Sequence, residues 1–366
     1  MRMALVHEWL EAIGGSENVF WALAEQFPEA DRWCLWDNRA ERTPHVRETW
    51  LGRTPAPRSK MAALPVMPVA WRTQPAAGYD VVLSSSHAFA HTVRFRGSRD
   101  AVHLSYVHSP ARYLWTPELD HRGAGPLVAA GGPVLRAVDR RLGRHVSALA
   151  VNSLEVRDRV RRFWDQDATV IHPPVDVEFF ADASSAEGDE VVPAGLPDDY
   201  ALAAGRFVPY KNFEAAIRAA AVTDMPLVLA GGGPDEGRLR ELAETVRAPV
   251  TFVPDPSRAL LRLLYRRARV FVFASHEDFG IMPVEAQAAG TPVAGVAVGG
   301  LLETVIPGRT GVLADSAAPA ELATALRAAA ALKGSAEPAR NAGRFGPDVF
   351  RRAVRRWFDA AVEGTG

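Results

Sequence analysis

The chain has 366 residues, which is too long for one ordinary hydrophobic core and favours two domains. Apolar residues make up 48% and charged residues 23%, a globular composition, and no window approaches the roughly 18 uninterrupted apolar residues that a membrane-spanning helix needs. The formal net charge of -1 argues against a protein built mainly to bind nucleic acid, so we expect no nucleic-acid partner.

The amino terminus and the cysteine content both suit a cytoplasmic protein. Residues 1–6 meet His7 and Glu8 too soon to form the apolar core of a signal peptide, and a β-strand accounts for them better. The one cysteine, Cys34, can form no internal disulfide and offers no metal framework. We therefore expect a reducing, cytoplasmic setting.

In chain order, short apolar runs alternate with longer amphipathic segments, which is the pattern of βαβ units and a parallel sheet. The strands predicted in the first half are Met3–His7, Arg32–Trp36, Asp80–Ser84, Val102–Val107, Ala148–Val151 and Thr169–Ile171. Those predicted in the second half are Tyr200–Ala204, Pro226–Ala230, Thr251–Val253, Arg269–Ala274, Pro292–Val296 and Gly311–Leu313. Two such series predict an α/β protein with two doubly wound sheets.

The domain boundary is predicted near Val175. Residues 181–199 are rich in Ala, Ser, Gly, Pro and acids, with little periodicity, and suit a linker and loop region. Residues 348–362 carry apolar side chains at helical spacing among arginines and predict an amphipathic terminal helix. The three parts of the chain are then residues 1–174, 175–345 and 346–366.

The segment from Ser275 to Pro292 places two glutamates eight residues apart around a predicted strand-to-helix turn. Because Pro283 suits the first position of a helix, Glu277 is expected in the loop and Glu285 in the first helical turns. A helix N-terminus attracts anions, and a loop carboxylate can accept hydrogen bonds from sugar hydroxyls, so the segment fits a ligand that carries phosphate and sugar. A loop acid followed by a glutamate that compensates the helix dipole is the other interpretation.

Three other segments contain candidate binding residues. Arg206 and Lys211 follow a predicted strand in a loop that opens a helix, where both could reach phosphates; solvated surface cations are the alternative. Gly14 and Gly15 precede a predicted helix, where their amides could hold a phosphate oxygen, although a plain tight turn needs the same residues. His108 directly follows a buried strand, where a lone histidine is more often structural.

These segments together resemble the retaining family 4 glycosyltransferases, in the order of that family and across nearly the whole chain. The spacing of Glu277 and Glu285 resembles the family's Glu-x7-Glu motif, and the other segments resemble its glycine-rich first loop, active-site histidine segment, approach to the interdomain crossing and basic phosphate-binding loop. Those other matches are Ala4–Leu10 with Gly14–Glu17, Tyr106–Pro110, Asn152–Ser153 with His172–Asp176, and Gly205–Asn212.

The resemblance implies a GT-B architecture, in which two Rossmann-like domains face a central cleft and the terminal helix crosses back to the first domain. It implies that Glu277 contacts hydroxyls of the donor sugar and that Glu285 holds the nucleotide ribose. His108 would contact the sugar or stabilise charge at its anomeric centre. Arg206 and Lys211 would stabilise negative charge on the departing diphosphate, as fixed cations aimed at developing charge do.

The family also implies how the remaining loop and the reaction work. Loop amides of Phe279, Gly280 and Ile281 would face the sugar or phosphate. Retention of anomeric configuration is implied too, by front-face transfer in which the departing phosphate helps to take the acceptor proton. We expect no metal and no cofactor other than the nucleotide-sugar co-substrate.

Two further motifs resemble a metal-binding motif and a dinucleotide-binding motif, but we expect neither function. Asp165-Gln166-Asp167 has the Asp-x-Asp pattern of metal-dependent glycosyltransferases of another fold, but it lies in a predicted turn. Residues 231–237 are glycine-rich after a strand, but the third glycine is one position late for a dinucleotide fingerprint and Pro234 intrudes, so a loop on the nucleotide side fits better. The ten histidines show no metal-ligand spacing.

We therefore expect transfer of a sugar from a nucleotide-diphosphate donor to a glycan, lipid-linked or natural-product acceptor. The segments around His7 and His108 resemble mannosyltransferase-type members, which favours GDP-mannose over a UDP-sugar as donor. A sugar-nucleotide epimerase of the same fold and a non-catalytic nucleotide-sugar-binding protein are the alternatives.

One segment of the acceptor-side domain suits contact with the inner face of a membrane. From Arg58 to Arg72, basic and apolar residues are mixed, as on a surface that meets a lipid-linked acceptor. Prolines at positions 65, 68 and 75 argue against one long amphipathic helix, so packing into the core is the default interpretation.

Overall fold

The computed structural model describes residues 1–12, 14–39, 45–55, 59–74, 77–98, 100–117, 126–182, 193 and 195–364, and of residues 126–130 it describes the backbone alone. The chain divides into two compact units, one comprising Met1–Pro174 with Asp348–Gly366 and the other Val175–Pro347. Most of the predicted linker, residues 183–192 and 194, lies outside the described residues, as do Arg58 and Pro75.

Thirteen parallel strands form the sheets of the described residues. In the first unit these are β1 (Met3–Leu10), β2 (Asp31–Asp37), β3 (Val46–Glu48), β4 (Val81–Ser86), β5 (Val102–Val107), β6 (Ala148–Val151) and β7 (Thr169–Val170). In the second they are β8 (Ala201–Ala204), β9 (Leu227–Ala230), β10 (Val250–Val253), β11 (Val270–Phe273), β12 (Val293–Val296) and β13 (Gly311–Ala314).

The helices lie between the strands. They are α1 (Gly15–Gln26), α2 (Lys60–Ala63), α3 (Met67–Arg72), α4 (Arg112–Trp115), α5 (Pro126–Gly143), α6 (Leu154–Trp164), α7 (Val177–Ala181), α8 (Phe213–Thr223), α9 (Glu236–Thr245), α10 (Arg258–Arg267), α11 (Ile281–Ala288), α12 (Leu301–Thr304), α13 (Pro319–Ala330), α14 (Glu337–Ala342) and α15 (Pro347–Glu363). Short 3-10 turns cover Trp50–Arg53, Ala90–Thr92, Pro209–Lys211 and Gly343–Phe345. Among the helices of the described residues, none is long and apolar enough to cross a bilayer.

Both sheets are doubly wound. The strand order is β3-β2-β1-β4-β5-β6-β7 in the first unit and β10-β9-β8-β11-β12-β13 in the second. In the first sheet the chain winds outward on one side from β1 and on the other from β4. In the second it does so from β8 and β11. Each sheet therefore has one switch point, where loops leave neighbouring strands in opposite directions and a crevice for ligands forms.

The predicted α/β fold class is confirmed, and all predicted strands are present, β5 and β6 with the predicted ends and the others with ends shifted at one or both termini. β1 extends beyond its predicted end at His7 because Trp9 and Leu10 still pair with β2. β3 was not predicted, since a three-residue edge strand is too short to show a period.

Apolar side chains cover both faces of each sheet, as parallel sheets require. In the first unit, α15 contributes its apolar stripe to the core that also contains α1, with the Phe27 and Phe358 ring centroids 4.7 Å apart. The buried members of that stripe are Phe350, Val354, Trp357 and Phe358.

Candidate active site

The predicted donor-binding residues of the second unit lie at its switch point. β8 and β11 are neighbours, with Val270 paired to Ala201. Residues 205–212 follow β8 and residues 274–280 follow β11. The basic loop and the glutamate loop, which are far apart in sequence, therefore start from the same edge of the sheet.

Lys211 and Glu277 are directly paired. Lys211 Nζ donates a hydrogen bond to Glu277 Oε1, and Ser275 Oγ donates to the same oxygen at 3.3 Å. Asn212 Nδ2 donates to the carbonyl of Ala274 at 3.3 Å, which ties the two loops together. The side chains of the pair are 14% and 20% exposed, so both are partly desolvated yet reachable from solvent.

Arg206 is exposed on the same loop. Its guanidinium has no hydrogen-bond or ion-pair partner among the described residues. Gly205 has a φ of 132°, and the sulfur of Met282 in α11 lies 3.4 Å from the place where a Cβ at position 205 would stand. The loop thus holds an uncompensated cation close to the start of α11.

The N-terminus of α11 is held by close backbone packing. Gly280 precedes the helix with a φ of 82°, and Phe279 is buried, so only its backbone can face a ligand. The amide of Gly300 donates to the carbonyl of Glu277 at 2.9 Å, and a Cβ at Gly300 would overlap the backbone of Phe279. The first N–H groups of a helix lack intrahelical partners, which makes this end suitable for an anion.

Glu285 lies in the second turn of α11 and is half-buried. Burial raises the pKa of its carboxyl to about 7; the hydroxyl of Tyr265, which donates to Oε2 at 3.2 Å, and Arg258 oppose that rise, whereas Asp176 adds to it. Near neutral pH this carboxyl can therefore donate as well as accept hydrogen bonds, which suits the hydroxyls of a ribose.

In the first unit, His108 follows β5 and belongs to a histidine cluster beside the β1 and β4 switch point. Its Nε2 lies 2.8 Å from Ser85 Oγ, which is 3.1 Å from His7 Nδ1. The ring centroid of His87 is 6.2 Å from that of His108. Burial lowers the pKa of His108 well below its ordinary value, and His87 and His7 lower it further while Glu8 opposes them, so the ring is neutral at neutral pH.

The cluster encloses a fully buried carboxylate, that of Glu8. Glu8 accepts hydrogen bonds from Ser86 Oγ at 3.1 Å and from the amides of His87, Ala88 and Ala90 at 3.1, 2.9 and 2.6 Å. This carboxylate therefore fixes the backbone of residues 86–90, the loop that follows β4.

His7, Glu8 and His87 also place one ligand atom each within 4.8 Å of one another, the one such group in the described part of the chain. Sequence spacing did not reveal it, because His7 and Glu8 are neighbours in β1 whereas His87 follows β4, about 80 residues later. Both oxygens of Glu8 already accept hydrogen bonds from residues 86–90, so the described contacts account for this carboxylate without a cation.

Gly14 and Gly15 lie at the start of α1. A Cβ at Gly14 would overlap the carboxylate of Glu17, which accepts from Ser16 Oγ at 2.8 Å and from the Glu11 amide at 3.3 Å. Gly14 therefore has a packing role that needs no phosphate. Its role in donor binding, with that of Gly15, stays a prediction.

The Asp-x-Asp motif at residues 165–167 and the glycine-rich loop at residues 231–237 both make structural contacts within the protein. Asp167 pairs with Arg161 at 3.0 Å, and Asp165 ends α6 in the left-handed conformation. The glycine-rich loop packs against the basic loop, since the amide of Phe207 donates to the carbonyl of Gly232 at 2.8 Å. The second loop thus supports the first.

Sequence reasoning did not select several residues that surround the candidates. Apart from Ser275, which lies two residues before Glu277, they are brought near the candidates by the fold and have no local signature; the one available signal was the polar run at the end of β4. These residues are His7, Glu8, Ser85, His87, Tyr265 and Ser275.

Two protein families match the two halves of the chain. Residues 13–179 match Glycosyltransferase Family 4, and residues 189–345 match Glycosyl transferases group 1. The chain is 34% identical over 248 residues to a D-inositol 3-phosphate glycosyltransferase of Mycolicibacterium smegmatis, covering 60% of this chain and 57% of that protein. It is 30% identical over 327 residues to one of Streptomyces avermitilis, covering 80% of this chain and 68% of that protein.

Solved structures share the fold. Sucrose-phosphate synthase from Thermosynechococcus elongatus superimposes with a TM-score of 0.73 at 22% identity, covering 98% of this chain and 100% of that one. Anabaena HepE in complex with UDP-glucose gives 0.70 at 17% identity with the same coverage. Because both halves match in family order and one relative aligns over most of both sequences, this chain belongs to the family 4 glycosyltransferases, with the GT-B fold.

Proposed function

We propose that the protein is a retaining, metal-independent glycosyltransferase that moves a sugar from a nucleotide-diphosphate donor to a hydroxyl acceptor. The observation that carries this proposal is the pairing of Lys211 with Glu277 at the switch point of the second sheet, beside the exposed Arg206 and the N-terminus of α11. It is a site with separate groups for phosphate and for sugar.

The phosphate side is cationic. As the anomeric bond breaks, negative charge grows on the diphosphate, and fixed positive groups aimed there lower the barrier. Arg206 has no carboxylate partner in the described part of the chain, so its charge is available to a phosphate. Backbone N–H groups at the start of α11 add to the same field.

The sugar side is the carboxylate of Glu277. Lys211 and Ser275 hold Oε1, whereas Oε2 has no hydrogen-bond partner among the described residues. We assign Oε2 to hydroxyls of the donor sugar. Glu285, with a pKa near neutrality, is assigned to the ribose, and His108 of the first unit to the transferred sugar.

Front-face transfer suits this arrangement better than two-carboxylate catalysis. A two-carboxylate glycosidase would leave the exposed Arg206 without a role, whereas a departing diphosphate uses its charge. We therefore propose retention, with the departing phosphate assisting removal of the acceptor proton.

The relatives do not identify the nucleotide base of the donor. HepE has been solved with UDP-glucose, whereas the sequence around His7 and His108 resembles mannosyltransferase-type members. GDP-mannose is the first donor to test and UDP-sugars are the second. The chain spans 57% and 68% of the two inositol-phosphate relatives, whose acceptor class is one of those to be screened.

The test is calorimetry with UDP, GDP, dTDP and ADP in the presence of EDTA, followed by the matching nucleotide sugars and a transfer assay. Tight, base-selective binding in EDTA is expected, together with transfer to a hydroxyl acceptor. No binding to any nucleotide would refute the site, and binding that needs added Mg²⁺ or Mn²⁺ would refute metal independence. Interconversion of nucleotide sugars without transfer would identify an epimerase, and binding without turnover a sensor.

We further propose that the surface around α3 touches an anionic membrane. Val66 and Val69 are exposed there, and the exposed Trp50 donates to Thr73 Oγ1 at 2.9 Å, which places its ring on the same surface. The exposed cations nearby are Arg53, Arg72 and Arg94, and none of them has a carboxylate partner among the described residues. Apolar side chains among uncompensated arginines fit lipid headgroups.

A further inference from the structure

Ser85 lies between two imidazole rings in the first unit. It is fully buried near the end of β4, where it pairs with His7 of β1 on one side and with Tyr106 of β5 on the other. Its Oγ is 3.1 Å from His7 Nδ1 and 2.8 Å from Nε2 of His108. The hydroxyl has one proton to share between two nitrogens.

The backbone decides where that proton goes. His7 Nδ1 also lies 3.1 Å from the carbonyl oxygen of Ser85. A carbonyl can only accept, so this hydrogen bond requires a proton on His7 Nδ1. His7 Nδ1 is therefore a donor towards Ser85 and cannot accept the Ser85 hydroxyl proton.

One acceptor is then left for the hydroxyl of Ser85. The contacts of its Oγ within the described residues are His7 Nδ1 and His108 Nε2, so the hydroxyl donates to His108 Nε2. A neutral imidazole whose Nε2 accepts carries its proton on Nδ1. The neutral state is consistent with the lowered pKa values of both rings, which burial causes.

We infer that Ser85 and His7 are positioning residues that hold His108 in the Nδ1–H tautomer, so that His108 offers a substrate oxygen a hydrogen-bond donor and not a base. Nε2 is occupied by Ser85, and Nδ1 has no hydrogen-bond partner among the described residues, which leaves it available to a ligand. The donor would suit a sugar hydroxyl or a phosphate oxygen. This role of His108 towards a sugar rests on the proposed function, but its tautomer does not.

The test is long-range ¹H–¹⁵N NMR of the imidazole rings in the full chain labelled with ¹⁵N, with His108 assigned by loss of its signals in His108→Gln. The wild-type protein is expected to show His108 protonated at Nδ1 and unprotonated at Nε2. Ser85→Ala should shift His108 towards the Nε2–H tautomer. A matched control is Ser84→Ala, another fully buried serine of β4, whose Oγ lies 3.1 Å from His103 Nε2 instead.

The wild-type spectrum decides the tautomer even if Ser85→Ala fails to fold. An Nε2–H tautomer in the wild-type chain, or a His108 pattern that Ser85→Ala leaves unchanged, would overturn the inference. In the transfer assay, Ser85→Ala should lower kcat by about 10–100-fold with KM little changed, while Ser84→Ala should not. Full kcat in Ser85→Ala with an altered tautomer would also overturn the positioning role. Since the spectrum needs no substrate, absence of turnover in the wild-type chain would refute the proposed function separately.

Discussion

At the scale of single residues, Arg206, Lys211 and Glu277 differ in burial and in ion pairing, and these differences indicate different roles. The lysine and the glutamate neutralise each other in a partly desolvated position, whereas the arginine is exposed and unpaired within the described residues. A phosphate is therefore expected to meet the arginine directly, and a sugar to meet the remaining oxygen of Glu277.

These roles predict different kinetic effects. Glu277→Ala should lower turnover by about 10²–10³-fold, with a much smaller loss of nucleoside diphosphate affinity, because its contacts are to the sugar. Arg206→Ala should reduce both turnover and affinity, the latter by about tenfold, since it meets the phosphates in ground and transition states.

Steady-state kinetics and calorimetry measure the two quantities. The control is Arg240→Ala, an exposed arginine of α9 that pairs with Glu236 in the same unit and should change neither. Equal, small effects of Glu277→Ala and Arg206→Ala would contradict the assigned roles.

Glu285 predicts a pH dependence of stability. Its pKa in the folded protein, about 7, lies above the ordinary value of 4.5, so the folded state favours the protonated carboxyl. The stability that this protonation adds is fully present below the ordinary pKa and is lost as pH rises through about 7.

Glu285→Gln removes the titrating proton, so its Tm relative to the wild-type protein should rise between about pH 5 and about pH 8 in the absence of ligand. Thermal unfolding at both pH values measures this. A Tm difference that is the same at both would show that burial does not perturb Glu285.

At the scale of elements, the loops at the second switch point depend on backbone contact that side chains would prevent. Gly231 has a φ of 142°, and a Cβ there would overlap the carbonyl of Gly205, the residue before Arg206. The carbonyl of Gly205 belongs to the backbone and cannot rotate away as a flexible side chain could. The two loops would therefore have to separate to admit a Cβ at position 231.

Gly231→Ala should therefore destabilise the protein by about 1–3 kcal/mol and weaken nucleotide binding. Gly237→Ala is the matched control, because it lies in α9 and a Cβ there meets nothing within 4 Å. That change should be neutral or stabilise by about 0.5–1 kcal/mol. Denaturant unfolding and calorimetry compare the two variants, and similar results for both would exclude a special role for the loop contact.

A second element-scale feature was beyond prediction from local sequence. Asp139 of α5 is fully buried and accepts from the indole N–H groups of Trp115 at 2.7 Å and Trp164 at 2.8 Å, with His91 Nε2 at 3.2 Å. The three partners come from different parts of the chain. In sequence Asp139 stands among arginines and looks like an ordinary charged residue of a helix surface.

At the scale of the whole molecule, the α3 surface predicts membrane binding controlled by charge. The wild-type chain should sediment with vesicles that contain anionic lipid at low salt, and less at high salt or with neutral vesicles. Val69→Asp should weaken this binding, because it adds a negative charge to an exposed apolar position. Val222→Asp, at a similarly exposed valine in the second unit, is the control. Absence of binding to anionic vesicles at low salt would refute the proposal.

Local sequence was enough to predict the fold class, every strand except β3, and the family. These follow from local features: β-branched runs mark buried parallel strands, glycine and proline mark turns, and the family motifs are contiguous stretches such as the one from Glu277 to Glu285. Only a short edge strand such as β3, with too few residues to show a period, escaped this reasoning.

The contacts between side chains, in contrast, depend on how the folded chain packs. The pairing of Lys211 with Glu277 and the placement of Ser85 between His7 and His108 both join residues from separate strands and loops. Hydrogen bonds, pKa shifts and tautomers depend on distances of a few ångströms and on burial. Sequence spacing sets neither across a parallel sheet, because neighbouring strands are joined by long crossovers.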